Sequence, residues 1–125
     1  MKKQFIAIAA FTMLLASCHK EVTATITIVE PASIDTIPLN NEVHFEGTID
    51  GTAEMHGYTI KFTNMASGAA LLSKTEDSHA KSYVFHEHWI NNVTDTTTLK
   101  LSITVEKDHD GHTETKEATV VCLPQ

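Results

Sequence analysis

Strict alternation of apolar and polar residues is the feature that most constrains the fold of this chain. Residues 22–29, VTATITIV, place Val22, Ala24, Ile26 and Ile28 on one side and mainly threonine on the other. Successive side chains of a β-strand point to opposite faces of a sheet, so this pattern predicts a strand with one buried face. No stretch of the sequence has the length and spacing of an amphipathic helix. The alternation therefore predicts an all-β protein.

The same alternation recurs along the rest of the chain. It predicts further strands at residues 41–49, 56–64, 82–90, 98–107 and 113–123, and residues 67–73 (SGAALLS) are a weaker candidate. The pair Asp110-Gly111 separates the last two segments and is typical of a tight hairpin, because glycine tolerates positive φ. About seven short strands in a domain of roughly one hundred residues predict a β-sandwich.

The first residues of the chain have the pattern of a secretory signal peptide. Lys2 and Lys3 precede an uncharged apolar run, FIAIAAFTMLL, at residues 5–15. This run is shorter than the ~18 residues expected of a membrane-spanning helix. A positive start, a short apolar run and small residues after it are typical of a signal peptide, which we place at residues 1–17.

Residues 15–18, LASC, resemble the lipobox of bacterial lipoproteins. In that family the cysteine receives a diacylglycerol, the chain is cut just before it, and the new amine is acylated. The resemblance implies that Cys18 is lipidated, that residues 18–21 form a short tether, and that residues 22–125 form the domain. Several acyl chains anchor stably, because each buried CH₂ contributes about 0.8 kcal/mol and one chain alone is marginal. The alternative is an ordinary signal peptide with a chance cysteine.

The lipid would leave Cys122 as the only thiol of the domain. No intramolecular disulfide could then form, so the domain has to be stabilised by its apolar core. Cys122 lies in an apolar run. We therefore expect it to be a small buried hydrophobic residue rather than a nucleophile.

The end of the chain carries a second resemblance. Residues 99–123, LKLSITVEKDHDGHTETKEATVVCL, resemble the last hairpin of many bacterial immunoglobulin-like modules, which often have asparagine where this chain has His112. The resemblance covers residues 22–123 and implies an immunoglobulin-like β-sandwich of about seven antiparallel strands. Together with the lipobox, the chain resembles small single-domain lipoproteins of the Bacteroidota, many of unknown function. That resemblance implies a bacterial cell-envelope protein, held at the outer membrane through the lipid on Cys18.

The resemblance to the Bacteroidota also implies a form of glycosylation. Their secreted proteins are often O-glycosylated at aspartate followed by serine or threonine and then a small or aliphatic residue. Asp35-Thr36-Ile37 and Asp95-Thr96-Thr97 match this short pattern. Thr36 and Thr96 are therefore candidate O-glycosylation sites.

The acidic charge of the chain excludes nucleic-acid binding. The chain has no arginine and a formal net charge of −7. Without Lys2 and Lys3, seven basic residues stand against sixteen acidic ones, a net charge of about −9. A nucleic-acid binder needs a basic stripe to displace counterions from phosphates, and this sequence has none.

A histidine-rich strand face is the main candidate site. In the predicted strand 82–90, Tyr83, Phe85 and Trp89 should face the core, so His86 and His88 should share the outer face. Glu87 would then lie on the inward face, and either caps the edge of the sandwich or marks a bulge.

A neighbouring strand can complete this face. In an immunoglobulin-like sandwich the second strand pairs with the fifth, which puts His44 and Glu46 on the same surface as His86 and His88. Zinc usually takes four ligands, or three and a water. These four residues are therefore a candidate metal site, and imidazole with carboxylate favours zinc, copper or nickel over calcium. The alternative is a set of ordinary exposed histidines that bind no ion.

A second candidate metal site lies on the predicted hairpin turn. Asp108, His109, Asp110 and His112 bring two carboxylates and two imidazoles together within five residues. Side chains at loop tips are usually solvated, which is the alternative interpretation of this group.

The sequence favours a binding role over catalysis. It contains no glycine-rich phosphate loop, nucleophile elbow or helix-borne His-Glu-x-x-His motif. We therefore expect a non-enzymatic, lipid-anchored binding or accessory module with a protein or small-ligand partner that the sequence does not identify. The alternative function is binding or handling of zinc or copper by the histidine-rich face.

Overall fold

The computed structural model describes residues 20–124, so the predicted signal peptide and Cys18 lie outside the described residues. The described part of the chain forms strands connected by short turns and loops. The eight strands are β1 (Ala24–Glu30), β2 (Asp35–Ile37), β3 (Glu42–Met55), β4 (Tyr58–Asn64), β5 (Ala70–Glu76), β6 (Ala80–Ile90), β7 (Thr97–Glu106) and β8 (Thr113–Cys122). Residues 20–124 contain no helix of the length and apolar character needed to cross a membrane.

The strands form two packed sheets with the order β1-β3-β6 in one and β2-β8-β7-β4-β5 in the other. All pairings are antiparallel except that of β2 with β8, which is parallel. The chain crosses between the sheets five times, from β1 to β2, β2 to β3, β3 to β4, β5 to β6 and β6 to β7. Two packed sheets with these crossings form an immunoglobulin-like β-sandwich, as the sequence predicts.

The strands match the sequence prediction with three differences. The weak segment 67–73 belongs to a regular strand, β5. The strand β3 runs on to Met55, beyond the predicted end at residue 49, with a register shift between Asp50 and Met55. The extra strand β2 has only three residues and was not predicted, because so short a segment has no visible alternation. The seven longer strands account for the predicted antiparallel sandwich.

Three phenylalanine rings join the sheets at the centre of the core. The ring centroid of Phe45 lies 5.2 Å from that of Phe85 within the first sheet and 6.0 Å from that of Phe62 in the second. Gly47 makes room for this cluster, since a Cβ there would lie 2.6 Å from Cζ of Phe85. Every buried core residue that the structure describes lies between Ile26 and Cys122. Residues 20–124 therefore contain both sheets and the core packed between them.

The burial of individual residues settles two expectations. Cys122 is fully buried, as predicted, and this burial raises the pKa of its thiol. Glu87 is partly buried, and its carboxylate lies 2.8 Å from Nζ of Lys74 across the sandwich edge. The register of β6 with β3 is continuous around Glu87, so Glu87 caps the edge and does not mark a bulge.

Replacing Phe85 by alanine should lower the free energy of unfolding by about 3–5 kcal/mol, because the buried ring leaves a cavity in the core. The matched control is Val84→Thr, since Val84 points to the opposite face and is 80% exposed. We expect that change to stay within about 0.5 kcal/mol. Urea unfolding of the chain from Lys20, followed by fluorescence of Trp89, measures both. Equal losses would contradict the inward and outward assignment of this strand.

Candidate metal centre

The pairing of β3 with β6 brings the predicted histidine face together. His44 lies directly opposite His88, and Glu46 lies directly opposite His86. The core residues Phe45 and Phe85 alternate with these positions along the two strands. The four side chains therefore share the outer surface of the three-stranded sheet, as the alternation predicts.

Three of the four predicted ligands lie close enough to share one ion. Oε1 of Glu46 lies 2.9 Å from Nε2 of His86 and 3.6 Å from Nδ1 of His44. Single ligand atoms of these residues all lie within 4.8 Å of one another. Ligands that bind zinc tetrahedrally at about 2.0–2.2 Å are separated from one another by roughly 3.5 Å. The observed distances are close to that spacing.

The ring of His44 is oriented by a residue that the sequence analysis did not single out. Nε2 of His44 lies 3.2 Å from Oε2 of Glu42, which comes two residues earlier on the same face of β3. In a neutral imidazole one nitrogen donates and the other accepts. In the tautomer protonated at Nε2, that proton faces Glu42 and Nδ1 carries a lone pair beside Glu46. Carboxylates that hold the second nitrogen in this way commonly orient metal-binding histidines.

The Nδ1 atom of His44 is the unusual atom of this surface. It is buried from solvent and has no hydrogen-bond partner, although the ring as a whole is only half-buried. A buried polar atom without a partner costs free energy, of the order of 1–3 kcal/mol. Oε1 of Glu46, 3.6 Å away, also carries lone pairs and cannot donate when ionised. A cation between the two atoms would satisfy both.

His88 stands apart from this group. It is exposed, and its ligand atoms do not join the compact set. The structure therefore brings together His44, Glu46 and His86, with Glu42 behind them and His88 at the margin.

An acidic cleft opens beside His44. The cleft has a volume of about 400 Å³ and lies between the β1–β2 connection and the start of β3. The carboxylates of Glu30, Asp35 and Glu42 are among the groups that line it. A concave surface lined by charges of one sign raises the local concentration of counter-ions, in this case cations.

The second predicted group has a structural explanation within the β7–β8 turn. Oδ1 of Asp108 accepts hydrogen bonds from the backbone N–H groups of Asp110 at 2.9 Å and His112 at 3.2 Å. Oδ2 of Asp108 lies 2.6 Å from Nδ1 of His112. Ligand atoms of these three residues lie within 4.8 Å of one another, but His109 turns away from them. Asp108 is thus already used to close the turn.

The hydrogen bond between Asp108 and His112 shifts both groups toward their charged forms. It lowers the pKa of Asp108 and raises the pKa of His112. Asp108 and His112 are both charged at a pH between the lowered pKa of Asp108 and the raised pKa of His112. Its contribution to the turn is lost as the pH rises through the raised pKa of His112, and also as the pH falls through the lowered pKa of Asp108.

The two candidate glycosylation sites are both exposed. Thr36 lies in β2, and its backbone N–H is bonded to the carboxylate of Asp35 at 2.8 Å. Thr96 lies in the loop that leads into β7. Their positions allow access, and the modification itself stays a prediction.

Comparison with known proteins finds similarity to solved structures alone. No protein-family model matches the chain, and no curated protein matches it. Among solved structures it is similar to the CARDB domain of the PF1109 protein from Pyrococcus furiosus, which was solved in complex with di-metal ions. The two are 15% identical, the alignment covers 82% of this chain and 93% of that one, and the TM-score is 0.45. The candidate sites on this chain are therefore defined by its own residues.

Replacing Asp108 by asparagine should bring the pKa of His112 back toward its ordinary value of 6.5, because the charged acceptor at Nδ1 is removed. Titration of the His112 ring protons by NMR measures this shift. Asp110→Asn is the matched control on the same turn, since Asp110 acts on His112 only through its charge. A larger effect of the Asp110 change would contradict the role given to the Asp108 hydrogen bond.

Proposed function

We propose that this chain is a non-enzymatic, lipid-anchored module of the bacterial envelope that captures a transition-metal ion on the outer face of β3 and β6. His44, Glu46 and His86 are the proposed ligands. The single observation that carries the proposal is the buried, unpartnered Nδ1 of His44, directed at a carboxylate oxygen that also contacts His86. A cation bound between these atoms would give Nδ1 of His44 a partner and would share the Glu46 carboxylate with His86.

The ligand chemistry supports zinc or copper as the ion. Imidazole nitrogen suits zinc, copper and nickel, whereas calcium and magnesium prefer sites made entirely of oxygen. Two imidazoles and one carboxylate form a mixed set of the kind found in zinc sites with an open position. Acidic residues beside the site would bring cations to it.

The position of the site supports capture rather than a structural role. The core of the domain is closed between the two sheets without any contribution from these ligands. The side chains of His44, Glu46 and His86 keep 38%, 34% and 56% of their surface exposed. Three ligands on an open surface leave coordination positions for water or for a partner that receives the ion.

The location at the outer membrane of the envelope rests on the lipobox resemblance of residues 15–18. Residues 20–23 lead into β1, whose first residue, Ala24, pairs with Gly51 toward the far end of β3. His44 and Glu46 lie near the opposite, starting end of β3. An anchor at Cys18 would therefore leave the proposed site on the side away from the membrane.

Zinc titration of the chain from Lys20 by isothermal calorimetry tests the proposal. We expect micromolar or tighter binding at this site, and the loss of one equivalent when His44→Ala and His86→Ala are combined. His88→Ala is the matched control, because it removes an imidazole from the same face outside the compact set. Binding that survives the double substitution unchanged would rule out this site and leave a module whose ligand is not a metal held here.

Replacing Glu42 by glutamine should weaken binding at this site by about tenfold without removing a ligand, because residues that orient a metal-bound histidine typically contribute 10–100-fold to affinity. Competition with a chromophoric zinc chelator measures the change. Asp50→Asn, farther along the same face of β3, is the control for a lost negative charge. Equal weakening by both substitutions would show that Glu42 acts only through its charge.

A further inference from the structure

We propose that a second, independent transition-metal site is formed by His56, His79 and His109 at the other end of the sandwich. The proposal does not rest on the function proposed above, since none of these residues belongs to the first site. Each residue lies in a different turn: His56 between β3 and β4, His79 between β5 and β6, and His109 between β7 and β8. The fold brings three imidazoles together that are far apart in the sequence.

The three imidazole rings lie against one another at this end of the sandwich. The ring centroid of His56 lies 3.8 Å from that of His109 and 4.4 Å from that of His79, and the outer pair is 6.3 Å apart. Imidazoles that bind zinc tetrahedrally through nitrogen at about 2.0–2.1 Å place their ring centres roughly 5 Å apart. Two of the three distances are shorter than that value and the third is longer. In the observed positions one nitrogen of each ring does not lie within 4.8 Å of the other two, so binding an ion requires the side chains to rotate toward a common point.

Backbone hydrogen bonds hold the turns that carry two of these rings. The N–H of His56 donates to the carbonyl of Glu106 at 2.8 Å, and the N–H of Glu106 donates to Gly57 at 2.9 Å. The N–H of Lys107 donates to the carbonyl of His112 at 2.8 Å and closes the turn that carries His109. The β3–β4 turn is thus fixed to the end of β7, directly beside the β7–β8 turn.

Glycine at position 57 allows this close approach. Its φ is +115°, a conformation that other residues rarely adopt, and a Cβ there would lie 2.1 Å from the carbonyl oxygen of Glu76. The chain can therefore pass tightly against the end of β5. This contact brings His56 toward the turn that carries His79, three residues after Glu76.

The buried residue Tyr83 fixes the third turn relative to the first. Its hydroxyl donates to the carbonyl of Ser78 at 2.6 Å and lies 3.2 Å from the carbonyl of Met55. Ser78 and Met55 immediately precede His79 and His56. One buried hydroxyl therefore positions the backbone of two of the three proposed ligands.

A carboxylate accompanies the three rings. Oε1 of Glu54 lies 3.7 Å from Nδ1 of His79. Carboxylates next to a ring nitrogen commonly orient metal-bound histidines, and they can also act as ligands. Three imidazoles with one nearby carboxylate resemble the His₃ ligand set of zinc sites that keep a position open for water. The set favours copper and zinc over hard cations.

Contact between aromatic rings is the competing explanation for this cluster. Aromatic side chains prefer tilted and edge-to-face arrangements at these centroid distances without any metal. Phenylalanine at position 109 would keep such a contact and remove the ligand nitrogen. The substitution His109→Phe therefore separates ligation from stacking. His109 is exposed at a turn, so this change leaves the core intact.

The test uses the chain from Lys20 with His44→Ala and His86→Ala, which removes the first site. Titration with zinc and with Cu²⁺ by calorimetry should show one remaining equivalent of micromolar or tighter affinity. Cu²⁺ should selectively broaden the NMR signals of the His56, His79 and His109 rings. Adding His109→Phe should weaken this binding by at least about tenfold.

A control on the same hairpin completes the test. Adding Asp110→Asn in place of His109→Phe should leave the affinity within about twofold, because Asp110 lies outside the three-ring cluster and its backbone N–H, rather than its carboxylate, is bonded to Asp108. The proposal is overturned by the absence of a remaining equivalent, by unchanged affinity in the His109→Phe variant, or by loss of binding with Asp110→Asn. None of these results bears on metal binding by His44, Glu46 and His86. That binding is measured separately, in the chain that retains His44 and His86.

Discussion

The contact of Phe45 and Phe85 with Phe62 is the constraint on which both the fold and the candidate site depend. These rings fill the space between the sheets at one level of the sandwich, and all three are almost completely buried. Because a strand alternates its side chains, burying positions 45 and 85 forces their neighbours at 44, 46 and 86 outward. A shift of one residue would place imidazoles in the core and phenylalanine in water. The histidine face is thus a direct consequence of the packing beneath it.

The sequence could predict which residues share this face, but not which of them meet. The parity of His44, Glu46, His86 and His88 follows from alternation within each strand and needs no knowledge of the partner. The register, in contrast, depends on the partner strand. A slip of two residues would keep every side chain on its face but place a different residue opposite Glu46. Such a slip is excluded by contacts that single-strand patterns do not encode, including the fit of the Phe85 ring over Gly47. Alternation could also have predicted that Glu42 shares this face, since it lies two residues before His44.

The cluster of His56, His79 and His109 could not be predicted from the sequence, for a different reason. Turn residues have no alternation, so nothing in the pattern gives the direction of His56, His79 or His109. Proximity in sequence grouped His109 with Asp108, Asp110 and His112, whereas in the structure its ring centroid lies 3.8 Å from that of His56. Its position depends on long-range backbone bonds and on the Tyr83 hydroxyl, which exist only once both sheets have formed.

The long strand β3 separates the two proposed sites, and this separation gives them different surroundings. Along the partner strand, His86 lies opposite Glu46 and Ala80 lies opposite Met55, a separation of six residues, or roughly 20 Å at about 3.3 Å per residue. The tether side of the domain is the three-histidine side, because Glu21 lies 3.6 Å from Lys107 at the end of β7. With a lipid on Cys18, the three imidazoles would lie near the membrane surface and the mixed imidazole–carboxylate set would face away from it.

The carboxylate makes the outer set more tolerant of hard cations, whereas three imidazoles select more strongly for copper and zinc. The acidic cleft lies beside the site of His44, Glu46 and His86, which is the less selective of the two. That end of β3 would attract cations, and the three histidines at the other end would discriminate between them.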